Sequence, residues 1–211
     1  MAYINFILIP RYICDMIRAL FFIVFVFCAT FGFAQKFNGA LVAGINISQI
    51  DGDGEAGYHK WGLSGGGKMS YEIYPRMDLS IEMLYSQRGS RSVRKIDPWI
   101  INFDYIEVPL IYSIKDWYQE DEKYYKARLD LGLSYGYLFR STQNIAGFEE
   151  ALENLTANDL SYVLGAGLRL NRHWGVGFRF TKSFFRIYKD ENFENRGLQS
   201  YFITARAEYY F

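Results

Sequence analysis

Between Ala127 and Arg140 the chain reads ARLDLGLSYGYLFR, and every second residue is apolar or aromatic. Ala127, Leu129, Leu131, Leu133, Tyr135, Tyr137 and Phe139 share one face of an extended chain; Arg128, Asp130, Gly132, Ser134, Gly136, Leu138 and Arg140 share the other. A repeat of two is the strand period. A soluble sheet must bury such an apolar face against a second layer, whereas lipid itself can cover it in a membrane barrel.

The same pattern returns in eight segments: Phe37 to Ser48, Lys60 to Ile73, Met77 to Arg88, Asp104 to Ile114, Ala127 to Arg140, Leu160 to Leu170, His173 to Arg186 and Tyr201 to Phe211. The connections alternate in length. Tyr74 to Arg76, Lys115 to Tyr124 and Asn171-Arg172 are short; Gln49 to His59, Gly89 to Phe103, Ser141 to Asp159 and Ile187 to Ser200 are long. Short turns alternating with longer loops are the plan of an outer-membrane barrel. The expected fold is all-β: an eight-stranded antiparallel up-and-down transmembrane β-barrel. Its segments have the length a tilted strand needs to cross a bilayer. Closure leaves no unpaired edge, as lipid requires. An even strand number puts both termini on one side, expected to be the periplasm.

Composition agrees. Aromatic residues make up 19% of the 211 residues, yet mean hydropathy is −0.09, which excludes a bundle of membrane helices and suits apolar residues alternating with polar ones. The formal net charge is zero, so no basic field points to nucleic acid.

The N-terminus is a separate object. Arg18 precedes the apolar run ALFFIVFVFCA (Ala19 to Ala29), and Gly32 and Ala34 stand three and one before Gln35. A cationic start, an apolar core and a small-x-small site make a secretory signal peptide over residues 1–34, with cleavage expected after Ala34. The run is short for a spanning helix. Cys28 follows Phe27, which argues against a lipoprotein signal. Met16-Ile17-Arg18 would begin a signal of ordinary length, which points to Met16 as the initiator. Both cysteines, Cys14 and Cys28, fall in the removed segment, so the mature barrel domain, residues 35–211, is expected to have no disulfide.

The face opposite the apolar one carries both signs of charge: Lys68, Arg88, Arg128, Arg169, Arg179 and Arg206 against Glu72, Asp78, Glu82, Glu107, Asp130 and Glu208. An eight-stranded barrel is just wide enough for side chains to fill, and buried charges must pair. The expectation is a lumen ion-pair network, with Arg128, Arg169, Arg179 and Arg206 meeting Glu72, Glu82, Asp130 and Glu208; a conducting or proton-relaying lumen is the alternative. Inward glycines would make room for the arginines. Aromatics near strand ends fit interfacial girdles: Tyr71, Tyr112, Tyr125, Trp174 and Tyr209 on the periplasmic side, Trp61, Tyr85, Tyr137, Tyr162 and Tyr201 on the outer one.

The runs AGINISQIDGDGEAGYHKWGLSGG, SIEMLYSQRGS and YIEVPLIYSI resemble the PorT-type outer-membrane β-barrel family of the Bacteroidetes, over roughly Phe37 to Phe211. The resemblance implies an eight-stranded barrel and, for the family's named member, a part in type IX protein secretion. The end TARAEYYF, with Tyr209 and Phe211, resembles the signal read by the barrel-assembly machinery.

Candidate chemical sites are sparse. DGDGE places Asp51, Asp53 and Glu55 at spacing two, like the start of a calcium loop, but Ala56 stands where an EF-hand needs glycine and Gly62 where it needs glutamate. A solvated turn is the reading preferred. His59 lies near these acids, but His173 falls beside a short turn and cannot support it, so no catalytic set emerges. GLSGGG lacks the lysine and strand–helix context of a phosphate loop. GFEEALENL spaces Phe148, Leu152 and Leu155 as a short surface helix would, to cap the barrel mouth or bind a partner. No cofactor is expected. Expected partners are outer-membrane lipid, the barrel-assembly machinery and an envelope or secretion protein met through the long loops. Three functions stay open: an interaction barrel, which is preferred; a small channel or transporter; and an outer-rim enzyme.

Overall fold

The computed structural model describes residues 37–51, 57–92, 99–144, 155–186, 188–189 and 197–211. The segment expected to be a signal peptide and most of the GFEEALENL stretch lie outside them. The strands are β1 (Phe37–Asp51), β2 (Lys60–Tyr74), β3 (Met77–Arg91), β4 (Ile100–Gln119), β5 (Tyr124–Gln143), β6 (Asn158–Arg169), β7 (Trp174–Ser183), the two-residue β8 (Tyr188–Lys189) and β9 (Gly197–Tyr210). Neighbours pair in chain order from β1 to β7, β7 pairs with β9, and β9 returns to β1, closing an eight-stranded antiparallel barrel. The β8 segment pairs only with the start of β9 and adds no wall. No helix forms among the described residues.

The alternation is kept in three dimensions. Leu129, Leu131 and Leu133 are more than half or just half exposed on the outer surface, while Asp130 and Ser134 are buried in the lumen. The outer surface continues as Leu41, Ile45, Leu63, Met69, Ile81, Met83, Leu110, Leu164 and Phe178, all exposed. An apolar band this extensive belongs against lipid.

Three features depart from the sequence reading. First, β4 and β5 run on past Ile114 and Ala127, and Tyr118 pairs with Tyr125 and Gln119 with Tyr124; Lys115 to Tyr124 is a ribbon ending in a turn rather than a connection. Tyr118 packs on Tyr125 with centroids 4.9 Å apart, and Lys126 lies over the Trp117 ring at 4.6 Å. Tyr112 sits opposite Leu79, which also pairs with Tyr71, so the β4–β5 ribbon projects beyond that row. Second, β1, β3, β4, β5, β6 and β9 extend into the spans read as long loops. Third, a bulge makes Tyr105 pair with Leu138 but Asp104 with Arg140. The extra residue reverses the facing of the residues beyond it, so Arg140, on the same parity as Arg128 and Asp130 in the sequence, has its side chain 68% exposed outside and meets Asp104 at 4.0 Å.

The short turns and both ends of the barrel chain share one rim, the turn end; the longer connections share the other, the loop end. Near the loop end Gly89 has φ 147°, and a Cβ there would stand 2.0 Å from the Ile101 carbonyl oxygen. Only glycine fits that conformation without strain.

Candidate functional site

Closure brings lumen residues from distant strands into two ion-pair clusters. Glu82 on β3 is the centre of the first. Its carboxylate accepts two hydrogen bonds from Arg179 on β7 (2.7 and 2.9 Å) and two from Arg206 on β9 (3.0 and 3.1 Å). Forked guanidinium–carboxylate contacts of this kind are the strong charge-assisted class. Arg179 also reaches Asp130 at 3.3 Å, and Ser113 donates to Asp130 at 2.7 Å. Arg206 Nε lies 2.9 Å from Glu208. Arg128 forks onto Glu208, contacts Asp130 at 3.3 Å and meets the Tyr210 hydroxyl, which itself donates to Glu208. Lys68 completes the group 3.5 Å from Glu208. Four cations (Lys68, Arg128, Arg179, Arg206) thus face three carboxylates (Glu82, Asp130, Glu208), leaving one positive charge in excess.

Arg88 is the centre of the second cluster, toward the loop end. It donates to Glu107 at 2.9 Å and to Asp159 at 2.6 Å. Its guanidinium lies 4.4 Å from the ring centroids of both Tyr105 and Phe202, stacking that suits a weakly hydrated planar cation. One cation here faces two carboxylates, so the two clusters have opposite excess charge and balance across the lumen. Between them a small void touches Glu107, Phe202, Arg179 and Arg206, with room for about one water. Above Arg88, Ile50, Ile101, Phe103 and Tyr105 form a buried apolar cluster against which Trp99, Leu138 and Leu155 pack. Leu155 is the described member of the GFEEALENL stretch; Phe148 and Leu152 lie outside the described residues.

The glycines fit this packing. A Cβ on Gly165 would stand 2.9 Å from Arg179 Cγ, and one on Gly167 2.9 Å from Arg128 Nε. The two arginines fill the space that side chains there would need.

The remaining candidate residues are dispersed over the barrel. Glu72 and Asp78 meet Lys115 at 3.2 and 2.7 Å near the turn end, apart from the arginines expected to join Glu72. Arg169 makes no ion pair among the described residues; it lies 4.0 Å over the Tyr210 ring and donates to the Arg172 carbonyl. Asp51 is exposed at the end of β1, and Asp53 and Glu55 lie outside the described residues, among which no cluster of metal-ligating groups occurs. His59 is at the loop end; His173 is in a turn at the opposite end, its Nδ1 3.0 Å from the Tyr210 carbonyl oxygen. Tyr209 packs between Trp174 (5.1 Å) and Phe211 (6.0 Å) on the outer surface, and the Phe211 amide donates to Gly39 across the β9–β1 seam. Asp159 and Lys115 fall within spans that the sequence pattern reads as connections. Continuing the parity of Ser161 back to Asp159, and of Ser113 on to Lys115, would have placed both in the lumen.

The family model described as the outer membrane protein beta-barrel domain matches residues 33–189. No curated protein matches the chain. Similar solved structures include the attachment invasion locus protein Ail of Yersinia pestis (15% identity, 83% of this chain and 99% of that one, TM-score 0.47). Neisserial surface protein A is another (12% identity, 83% and 96%, TM-score 0.47), and OprG of Pseudomonas aeruginosa a third (11% identity, 83% and 94%, TM-score 0.40).

Proposed function

The chain belongs to the outer membrane protein beta-barrel domain family, and from that premise we propose that this outer-membrane β-barrel protein is a non-conducting, non-catalytic interaction barrel of the cell envelope. The observation carrying the proposal is the filled lumen: two charge clusters of opposite excess, a void with room for about one water, and an apolar cluster at the loop end. A barrel closed inside acts through its surfaces, namely its lipid-facing wall and the connections at the loop end. The turn end and both termini face the periplasm, because short turns do so in barrels of this plan. The barrel-assembly machinery reads Tyr209 and Phe211, and the loop end meets an envelope partner. The PorT-type resemblance alone would make that partner part of a type IX secretion machine, and the barrel geometry adds nothing to it.

Planar-bilayer recording tests the reading. The purified barrel is expected to give no steady ion-selective conductance. Reproducible single-channel openings whose selectivity shifts in Arg179→Glu would replace it with a small channel.

A further inference from the structure

The lipid-facing wall carries a cation that the lumen network does not use. On β7, Trp174, Val176, Phe178 and Phe180 point outward, and Lys182 continues the row on the same face. Its cross-strand partners are Tyr162 on β6 and Tyr201 on β9. Below this row lie Leu164, Phe180 and Ile203, opposite one another on the same three strands. Above it Phe184 is 48% exposed and Phe185 67% exposed. Tyr162 packs between Phe180 (6.1 Å) and Phe184 (5.6 Å), and Tyr58 stands edge-on to Tyr201 at 5.4 Å.

Lys182 thus stands where the apolar wall gives way to aromatic rings, the level at which Tyr side chains meet lipid headgroups. Its ammonium lies 5.8 Å from the Tyr201 ring centroid and makes no ion pair among the described residues. Arg140, a cation of the outer wall at this end, has Asp104. A lysine facing lipid costs about 2–4 kcal/mol at mid-depth and about 0–1 near the interface, so this position tolerates the charge only where headgroups can reach it.

We propose that Lys182, framed by Tyr162, Tyr201 and Phe184, binds the phosphate of an anionic lipid in the leaflet that meets the loop end. The ammonium supplies the countercharge, the Tyr162 hydroxyl can donate to a phosphate oxygen, and Phe180, below the row, lies along the acyl chains. The site is a feature of the lipid-facing wall and does not depend on whether the lumen conducts.

The test is native mass spectrometry of the full barrel released from phosphatidylcholine nanodiscs doped with lipid A, with heat-modifiable gel migration to verify folding of each variant. The unmodified protein is expected to retain lipid A. Lys182→Gln should retain about fivefold less, the factor that corresponds to about 1 kcal/mol for one lysine at an anionic lipid surface, and Lys182→Arg should restore retention. Dephosphorylated lipid A should be lost from all three. Equal retention by Lys182→Gln, or retention of the dephosphorylated lipid, would overturn the proposal in favour of acyl packing alone. Displacement of lipid A by inorganic phosphate would mean a free-ion site and overturn the assignment to lipid.

Discussion

Glu82→Gln is the sharpest perturbation of the lumen, because it removes one charge with almost no change in volume. Glu82 is 2% exposed and accepts four N–H···O bonds from two arginines. The amide oxygen can keep part of that set, but its NH2 group must face guanidinium donors and finds no acceptor there. The cluster then holds four cations against Asp130 and Glu208, so its excess rises from one positive charge to two. Removing one partner of a buried ion pair costs about 3–5 kcal/mol, because the other charge is left uncompensated. At a urea slope of about 1–3 kcal/mol per molar, the unfolding midpoint in phospholipid vesicles should fall by at least about 1 M, monitored by tryptophan fluorescence. Adding Arg206→Gln removes the surplus cation and should cost less than the sum of the two single changes, the non-additivity expected of residues in one network. A loss below about 1 kcal/mol for Glu82→Gln, with the double variant simply additive, would refute a dry, paired lumen. The charges would then be solvated by a water path.

Leu131→Lys should destabilise the barrel in bilayers by about 2–4 kcal/mol, with Leu131→Phe close to neutral. In a cysteine scan, lipid-soluble quenchers should reach labels at 129, 131 and 133 and miss those at 130, 132 and 134; equal quenching at both parities would reject the facing assigned here. Mass spectrometry of the outer-membrane fraction should find a mature chain beginning at Gln35, and recovery as a soluble periplasmic protein without detergent would contradict membrane insertion.

The alternation in Ala127 to Arg140 determined a great deal by itself. Side-chain facing in a strand is local, set by a backbone that turns over every residue, so Leu131 outside and Ser134 inside were legible without knowing any neighbour. Eight such stretches with alternating connection lengths led to a closed barrel, and the apolar outer stripe required lipid as its solvent. What the local pattern does not contain is stagger. Glu82 is 97 residues from Arg179 and 124 from Arg206, and they meet only because β3 faces the neighbouring strands β7 and β9 across the lumen at one height. Facing alone placed Arg169 among the ion pairs, but its position near the turn end puts it over the Tyr210 ring instead. The bulge beside Tyr105 and Leu138 is likewise a property of two paired strands, and it sends Arg140 outward against its own parity. Period two decides which side a residue faces; the register of the closed sheet decides how high it stands and what lies opposite, and that requires all eight strands at once.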